Sequence, residues 1–212
     1  MVYRSGWATT GKLRYVLAAV AFAIYGCSAN AKFCEVTGGN YLQNSDFSTK
    51  TASGGVKHWT ATQHAGETSF EVNYDGVEVT IDKIGSQPWM MLKQRLRDTD
   101  LAGEKAAFTA EIKLDLQQPA IFHGFKKGGG LQLTAAPSSS SRLLLKSTLD
   151  HTPHMGKTDW EKVQVVVKFP PKTSTVEVSF LHQADGVLQV RNPSLQLVDE
   201  SGGKCKRTKI EK

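Results

Sequence analysis

From Ser69 to Val198 the chain alternates between apolar and polar positions, interrupted by short turn signals. SFEVNYDGVEVTIDKI reads as two alternating runs joined at Asp75-Gly76, a dipeptide suited to the positive φ angles of a tight hairpin. In AAFTAEIKLDL, Phe108, Ala110, Ile112, Leu114 and Leu116 fall on one side, and Thr109, Glu111, Lys113 and Asp115 on the other. KVQVVVKF repeats the pattern with Val163, Val165, Val167 and Phe169 before Pro170-Pro171, and TVEVSF with Val176, Val178 and Phe180. GVLQVRNPSLQLV reads as two short runs around Asn192-Pro193. Successive one-sided runs predict antiparallel sheets with one face buried, hence an all-β protein, a jelly-roll β-sandwich. No long segment carries a helical period. KKGGG (Lys126 to Gly130) and APSSSS (Ala136 to Ser141) are expected to be loops.

One run has two unlike faces. In GSQPWMMLKQRL, Met90, Leu92 and Leu96 share a side with Gln94, while Trp89, Met91, Lys93 and Arg95 share the other. The second set is too basic for a core and carries too large an aromatic for plain surface. Gln132 and Thr134 make a polar face on LQLT, and Arg142 and Lys146 share a side of RLLLK. Were these strands to adjoin, they would form an aromatic platform flanked by cations.

The N-terminus reads differently. Arg4, Lys12 and Arg14 precede the apolar run YVLAAVAFAIYG, which is short for a membrane span, and ANA (Ala29 to Ala31) supplies small residues at a cleavage site. Residues 1–31 are therefore expected to be a secretory signal, 32–205 the domain, and 206–212 a basic, disordered tail. The expected location is secreted or periplasmic. A rival route is lipidation at Cys27, where Tyr25 occupies a position that favours a small residue; without it no membrane association is expected. Three charges behind the formal +6 belong to Arg4, Lys12 and Arg14, so the basic balance says little about nucleic acid, and none is expected as a partner. Cys34 and Cys205 sit near the two ends of the exported domain and are expected to form a disulfide.

Catalytic signatures are missing from the sequence: no G-x-S-x-G elbow, no P-loop, no zinc-type pairing of cysteine and histidine. HTPH (His151 and His154) lies on a turn rather than a helix. Glu111 and Glu177 lie on polar strand faces and could meet across a sheet, which would be the one opening for a hydrolase.

The motifs, taken in order, resemble a known family. NYLQNSDFST followed by VKHWTATQ, then GVEVTIDKIGSQPWMMLKQRL, DLAGEKAAFTAEIKL, WEKVQVVVKF, STVEVSFLH and GVLQVRNPSLQLV are similar to the successive segments of carbohydrate-binding modules of families 4, 9 and 22. The resemblance implies a galactose-binding-like jelly roll that binds a polysaccharide or oligosaccharide without cleaving it. In that family carboxylates hold a structural calcium at positions that are Ser48 and Arg191 here, so neither a metal nor another cofactor is expected, and Arg191 is expected to pair with an acid such as Asp46. Trp59 stands where the family often packs an aromatic under the sheet or contacts ligand. The expected ligand-binding set is Trp89, Lys93, Arg95, Gln132 and Trp59, with the loop carrying His123 and Phe125, and Trp160 is expected in the core or at an edge. A tryptophan face suits a sugar's polarised C–H groups, and the cations favour acidic polysaccharide. The resulting expectation is a secreted, non-catalytic glycan-binding protein. Its rivals are an adhesion subunit using the sandwich for protein contacts and a small polysaccharide lyase or hydrolase.

The cysteine reading has a direct test. A Cys34–Cys205 bridge closes almost the whole domain and should stabilise it by about 4–5 kcal/mol through the entropy it removes from the unfolded chain. Non-reducing mass mapping of freshly exported protein should recover that cross-link; two free thiols would refute it.

Overall fold

The computed structural model describes residues 33–119, 122–124, 127–137, 142, 144–150 and 154–199. The expected signal, Cys27, Phe125, Cys205 and the basic tail lie outside the described residues. Those described belong to one compact unit, Lys32–Lys212. Its strands are β1 (Val36–Thr37), β2 (Thr60–Gln63), β3 (Phe70–Tyr74), β4 (Glu78–Lys83), β5 (Met90–Arg97), β6 (Lys105–Gln117), β7 (Gly129–Ala136), β8 (Leu144–Ser147), β9 (Gly156–Lys157), β10 (Glu161–Lys168), β11 (Thr175–His182) and β12 (Asp185–Val198). One short 3-10 turn, Thr148–Asp150, follows β8. No helix among the described residues is long and apolar enough to cross a membrane.

Two antiparallel sheets face each other. The first runs β10-β6-β12-β4-β3, with β1 added to β12 and β9 to β6; the second runs β2-β5-β11-β7-β8. The periodicity accounts for the assembly. Phe108, Ala110, Ile112 and Leu114 of β6, Leu188 and Val190 of β12, and Val79 and Ile81 of β4 turn inward from the first sheet. Met90 and Leu92 of β5, Val176, Val178 and Phe180 of β11, and Leu131 and Leu133 of β7 meet them from the second. Full burial of each large apolar side chain contributes about 1.5–3 kcal/mol. The jelly-roll β-sandwich expected from the alternation is thus the observed architecture.

Local chemistry fixes the turns. The Asp75 carboxylate accepts the Val77 and Glu78 amides at 3.0 Å each, and Gly76 takes φ 101°, closing the β3–β4 hairpin. The segment NYLQNSDF owes its form to two asparagines. Asn40 Oδ1 accepts from the Leu42 and Leu195 amides, tying this segment to β12. Asn44 accepts the Thr49 amide and donates to the Thr49 and Lys57 carbonyls, all at 2.9 Å.

Two expectations about elements are corrected. GVLQVRNPSLQLV is one continuous strand rather than two runs: the register shifts between Arg191 and Ser194, with Asn192 at φ 52°, and this bulge takes up Pro193, which has no N–H to give the ladder. Likewise Gly129 and Gly130 belong to β7, not to a loop. A Cβ at Gly129 would lie 3.0 Å from Leu116 Cδ1, and one at Gly130 would collide with Thr148 Oγ1, so small residues are required by close packing.

The two ends of the sandwich meet. Val36 pairs with Val198, and the Asp199 amide donates to the Glu35 carbonyl at 3.0 Å. Cys34 is held beside them, its amide donating to Gln164 Oε1 at 2.8 Å.

His182 is the core's polar exception. It faces inward between Met90 and Gly129, its ring 5.3 Å from Phe70, and neither ring nitrogen has a hydrogen-bond partner among the described residues. Burial, reinforced by the positive charge of Lys83, pushes its pKa down to about 3. The folded state therefore keeps the ring neutral while the unfolded chain, at about 6.5, takes up a proton. Stability should be fully present above pH 6.5 and fall as pH drops towards 3. Between pH 7 and pH 5 this group alone should cost about 2 kcal/mol, read by urea unfolding, and His182→Phe should remove most of that slope.

Candidate functional site

The outward side of the second sheet is a ladder of rows set by register, open along the rows of Arg95 and Arg97 and covered where Leu181, Ser179 and Ser147 are buried. Thr62, Met91, Leu181 and Gly130 form one row; Thr60, Lys93, Ser179, Gln132 and Ser147 the next; Arg95, Glu177, Thr134 and Leu145 a third; Arg97, Thr175 and Ala136 a fourth. Trp89, just before β5, extends the same side beyond Met91, with its carbonyl accepting the His64 amide at 3.1 Å and its ring 5.8 Å from that of His64. From Trp89 to Arg97 the face runs about 26 Å along the strand. The structure therefore brings Trp89, Met91, Lys93, Arg95, Gln132 and Thr134 onto one surface.

An open groove of about 660 Å³ occupies the middle and one end of this face, lined by Met91, Arg95, Arg97, Asp98, Gln132, Thr134, Arg142, Ser174 and Glu177 among others. Trp89 and Lys93 lie on the face but outside this lining. A smaller hollow of about 300 Å³ shares Arg95 and Arg97 and adds Tyr41, Gln43 and His58. Gln94, the odd polar member of the inward side, is 3% exposed and exchanges two 2.8 Å hydrogen bonds with the Gln43 backbone, so it clamps the wall of that hollow to β5.

Glu177 sits at the electrostatic centre. Its Oε2 accepts from Arg95 Nε at 3.0 Å and Nη2 at 2.8 Å, and Lys93 Nζ lies 3.5 Å away. Its side chain is 13% exposed, against 52% for Arg95. The two cations expected to give the face its positive charge are therefore shared by one carboxylate. Gln132 donates to Met91 Sδ at 3.4 Å, fixing the thioether beside the groove.

Other expectations are redirected. Trp59 is a core residue at 7% exposed: its ring stacks on Phe180 at 5.6 Å, meets Phe47 edge-on at 5.4 Å, and its Nε1 donates to the Asn44 carbonyl. It presents no face to a ligand. Glu111 and Glu177 do not meet, because one faces outward from the first sheet and the other from the second. Arg191 pairs with Glu111 at 2.7 Å rather than with Asp46, and its guanidinium stacks 4.1 Å over the half-buried Trp160. Those hydrogen bonds from Arg191 and Asn192 hold the Glu111 carboxyl below the usual range. Asp46 instead accepts from the Ser48 amide and hydroxyl. Among the described residues no group of three or more His, Cys, Asp or Glu could hold a metal ion. Lys146 pairs with Leu133 and so turns away from the side on which Gln132 and Thr134 lie, whereas Arg142, just before β8, lines the groove. His123 is exposed in the β6–β7 loop and outside the groove lining; the neighbouring Phe122 is 61% exposed with Lys127 over its ring.

Arg97, Asp98 and Ser174 are groove residues that pattern reading passed over. Arg97 continues the 89-91-93-95 series and was legible; Asp98 and Ser174 reach the site through strand ends and carry no periodic signal.

No protein-family model and no curated protein matches the sequence. Among solved structures the chain is similar to the enzymatically active domain of tailspike protein 4 of bacteriophage CBA120, with a TM-score of 0.57 at 13% identity over 75% of this chain and 21% of that one. It is also similar to a candidate sugar-binding protein from Bacteroides thetaiotaomicron, with a TM-score of 0.51 at 12% identity over 75% of this chain and 100% of that one. A CBM4 structure aligns with a TM-score of 0.48 at 10% identity, over 74% of this chain and 99% of that one. The chain spans only about a fifth of the tailspike's length. What the chain shares with the tailspike domain and the Bacteroides protein is the fold, a β-sandwich of two antiparallel sheets.

The two tryptophans separate under truncation. Trp59→Ala should cost about 3–5 kcal/mol of stability, as for other large core aromatics, whereas Trp89→Ala should cost roughly 1 kcal/mol. Equilibrium urea unfolding of both variants measures the difference, and equal losses would move Trp89 into the core.

Proposed function

We propose that the protein is a secreted, non-catalytic glycan-binding protein that lays a sugar chain along the outward face of β5, β11 and β7. One observation carries the reading: the register puts a thioether, cations, a carboxylate and amide and hydroxyl groups on one sheet face that opens into a groove, with Trp89 just before β5 beyond Met91. Sugars need this mixture, because their C–H faces stack on apolar surface while their hydroxyls both donate and accept. A flat row of polar groups alone would bind water as well as it binds sugar. The likeness in fold to a candidate sugar-binding protein supports the same reading. Acidic chains are favoured, since Lys93, Arg95, Arg97 and Arg142 outnumber Glu177 and Asp98 on this face. Binding without cleavage is consistent with a groove whose Glu177 is already engaged by two cations.

Calorimetric titration of the mature protein against neutral and acidic oligosaccharides tests the proposal. Binding should be detected, and Trp89→Ala should weaken it by about 1–3 kcal/mol with the fold retained. No glycan should release reducing ends or unsaturated products on incubation with the protein. Undiminished affinity in a folded Trp89→Ala variant, or product release, would overturn the corresponding half of the reading.

A further inference from the structure

Resting on the glycan-binding reading above, we propose that the groove sorts its ligand by where the charge lies. The centre, at Lys93, Glu177 and Arg95, reads hydroxyl pairs of uncharged sugar residues. The end, at Arg97 and Arg142, takes the acidic group. The ligand class is then a glycan in which acidic residues are interspersed among neutral ones, not a uniform polyanion.

The argument starts from occupancy. Arg95 spends Nε and Nη2 on Glu177 Oε2, at 3.0 and 2.8 Å, and Lys93 Nζ approaches the same oxygen at 3.5 Å. The other oxygen, Oε1, has no donor among the described residues, yet Glu177 lines the groove. A sugar carboxylate or sulfate placed over this trio would have to displace a carboxylate that is covalently held in position, and would meet its negative charge at close range. A pair of neighbouring hydroxyls meets no such barrier. One can donate to Oε1 while its neighbour accepts from the remaining N–H groups of Lys93 or Arg95, and neither loses a charge's hydration on the way in.

Arg97 and Arg142 differ in kind. Both line the same groove, and among the described residues neither has a carboxylate within ion-pair distance, Asp98 of the groove wall included. Their planar donor forks are open to a bidentate anion. Arg97 lies one row beyond Arg95 on β5, about 7 Å along the strand, so an acidic group bound there belongs to a sugar next to the one over Glu177, not to the same sugar.

Three probes decide the matter, titrated calorimetrically in low salt: a neutral β-glucan oligosaccharide, a xylo-oligosaccharide carrying a single glucuronate, and an oligogalacturonate. Wild-type protein should bind the singly acidic probe most tightly. Arg97→Ala with Arg142→Ala should bring that probe down to the neutral one, a loss of about fivefold and clearly larger than any loss for the neutral probe. Glu177→Gln should raise oligogalacturonate affinity about fivefold and leave the neutral probe unimproved, because it releases two cations at once. Oligogalacturonate bound best by wild type, or equal losses for all probes in the double arginine variant, would overturn the proposal. Should Glu177→Gln unfold, as judged by its thermal transition, the arginine arm decides alone. Failure of wild type to bind any probe would instead sink the glycan reading itself, while binding that depends on Trp89 but ignores the charge variants would sink only this inference.

Discussion

The register of β11 is the constraint on which the candidate site depends. This strand is central in the second sheet, paired on one side with β5 and on the other with β7. Its inward series of Val176, Val178, Phe180 and His182 is wholly buried. A slip of one residue would carry Glu177 and Ser179 into the core and expose the valines, at a cost of several fully buried side chains. Core burial therefore does more than stabilise the sheet. It forces Glu177 outward and opposite Arg95, and it decides that Lys93 and Gln132 share a row. The chemistry of the groove is specified by residues that never touch it.

A second anchoring point is the aromatic cluster of Phe47, Trp59, Phe108 and Phe180. Phe180 lies 5.6 Å from Trp59, 6.4 Å from Phe47 and 5.8 Å from Phe108 across the sandwich. Phe47 is held at φ 57°, an uncommon conformation for a bulky residue, which the burial of its ring compensates. Through this cluster the irregular segment from Asn40 to Trp59 is fastened to both sheets, and with it Gln43 and His58, which wall the smaller hollow beside Arg95. The left-handed backbone at Asn44, Phe47 and His58 marks a loop whose shape is imposed by packing and by the hydrogen bonds of Asn44 rather than by local preference.

How much of this could be read from the sequence follows from the same physics. Period-two alternation located the strands and the outward side of β5, because a half-buried strand cannot hide which face is apolar. It assigned Trp89, Lys93 and Arg95 to one side, and that side faces out. It failed where side chains act out of period. Trp59 precedes a short, exposed strand whose pattern is mute, and only the tertiary position of Phe180 shows that its ring is covered. The partner of Arg191 was misjudged because cross-strand register, not sequence, puts Glu111 opposite it. Pro193 suggested a break, but a bulge lets a strand run on through a proline. Glycines in a row suggested a loop, although Gly129 and Gly130 are small because Leu116 and Thr148 leave no room.

The two outward faces of the sandwich carry similar residue types with opposite consequences. On the first sheet, Trp160 lies under the guanidinium of Arg191, and Glu111 accepts from both Arg191 and Asn192 with both of its oxygens. Donors, acceptor and aromatic face are consumed by one another, so a ligand would have to break contacts that are already made. On the second sheet the pairing is incomplete. Among the described residues, Glu177 uses one oxygen and leaves the other, Arg97 and Arg142 have no carboxylate partner, and Trp89 makes one ring contact, with His64. Unpaired groups on an exposed face are solvated by water, which a hydroxylated chain of matching donors and acceptors can replace at little cost. The difference between a structural face and a binding face in this protein lies less in which residues are present than in how many of their bonds the fold has left unmade.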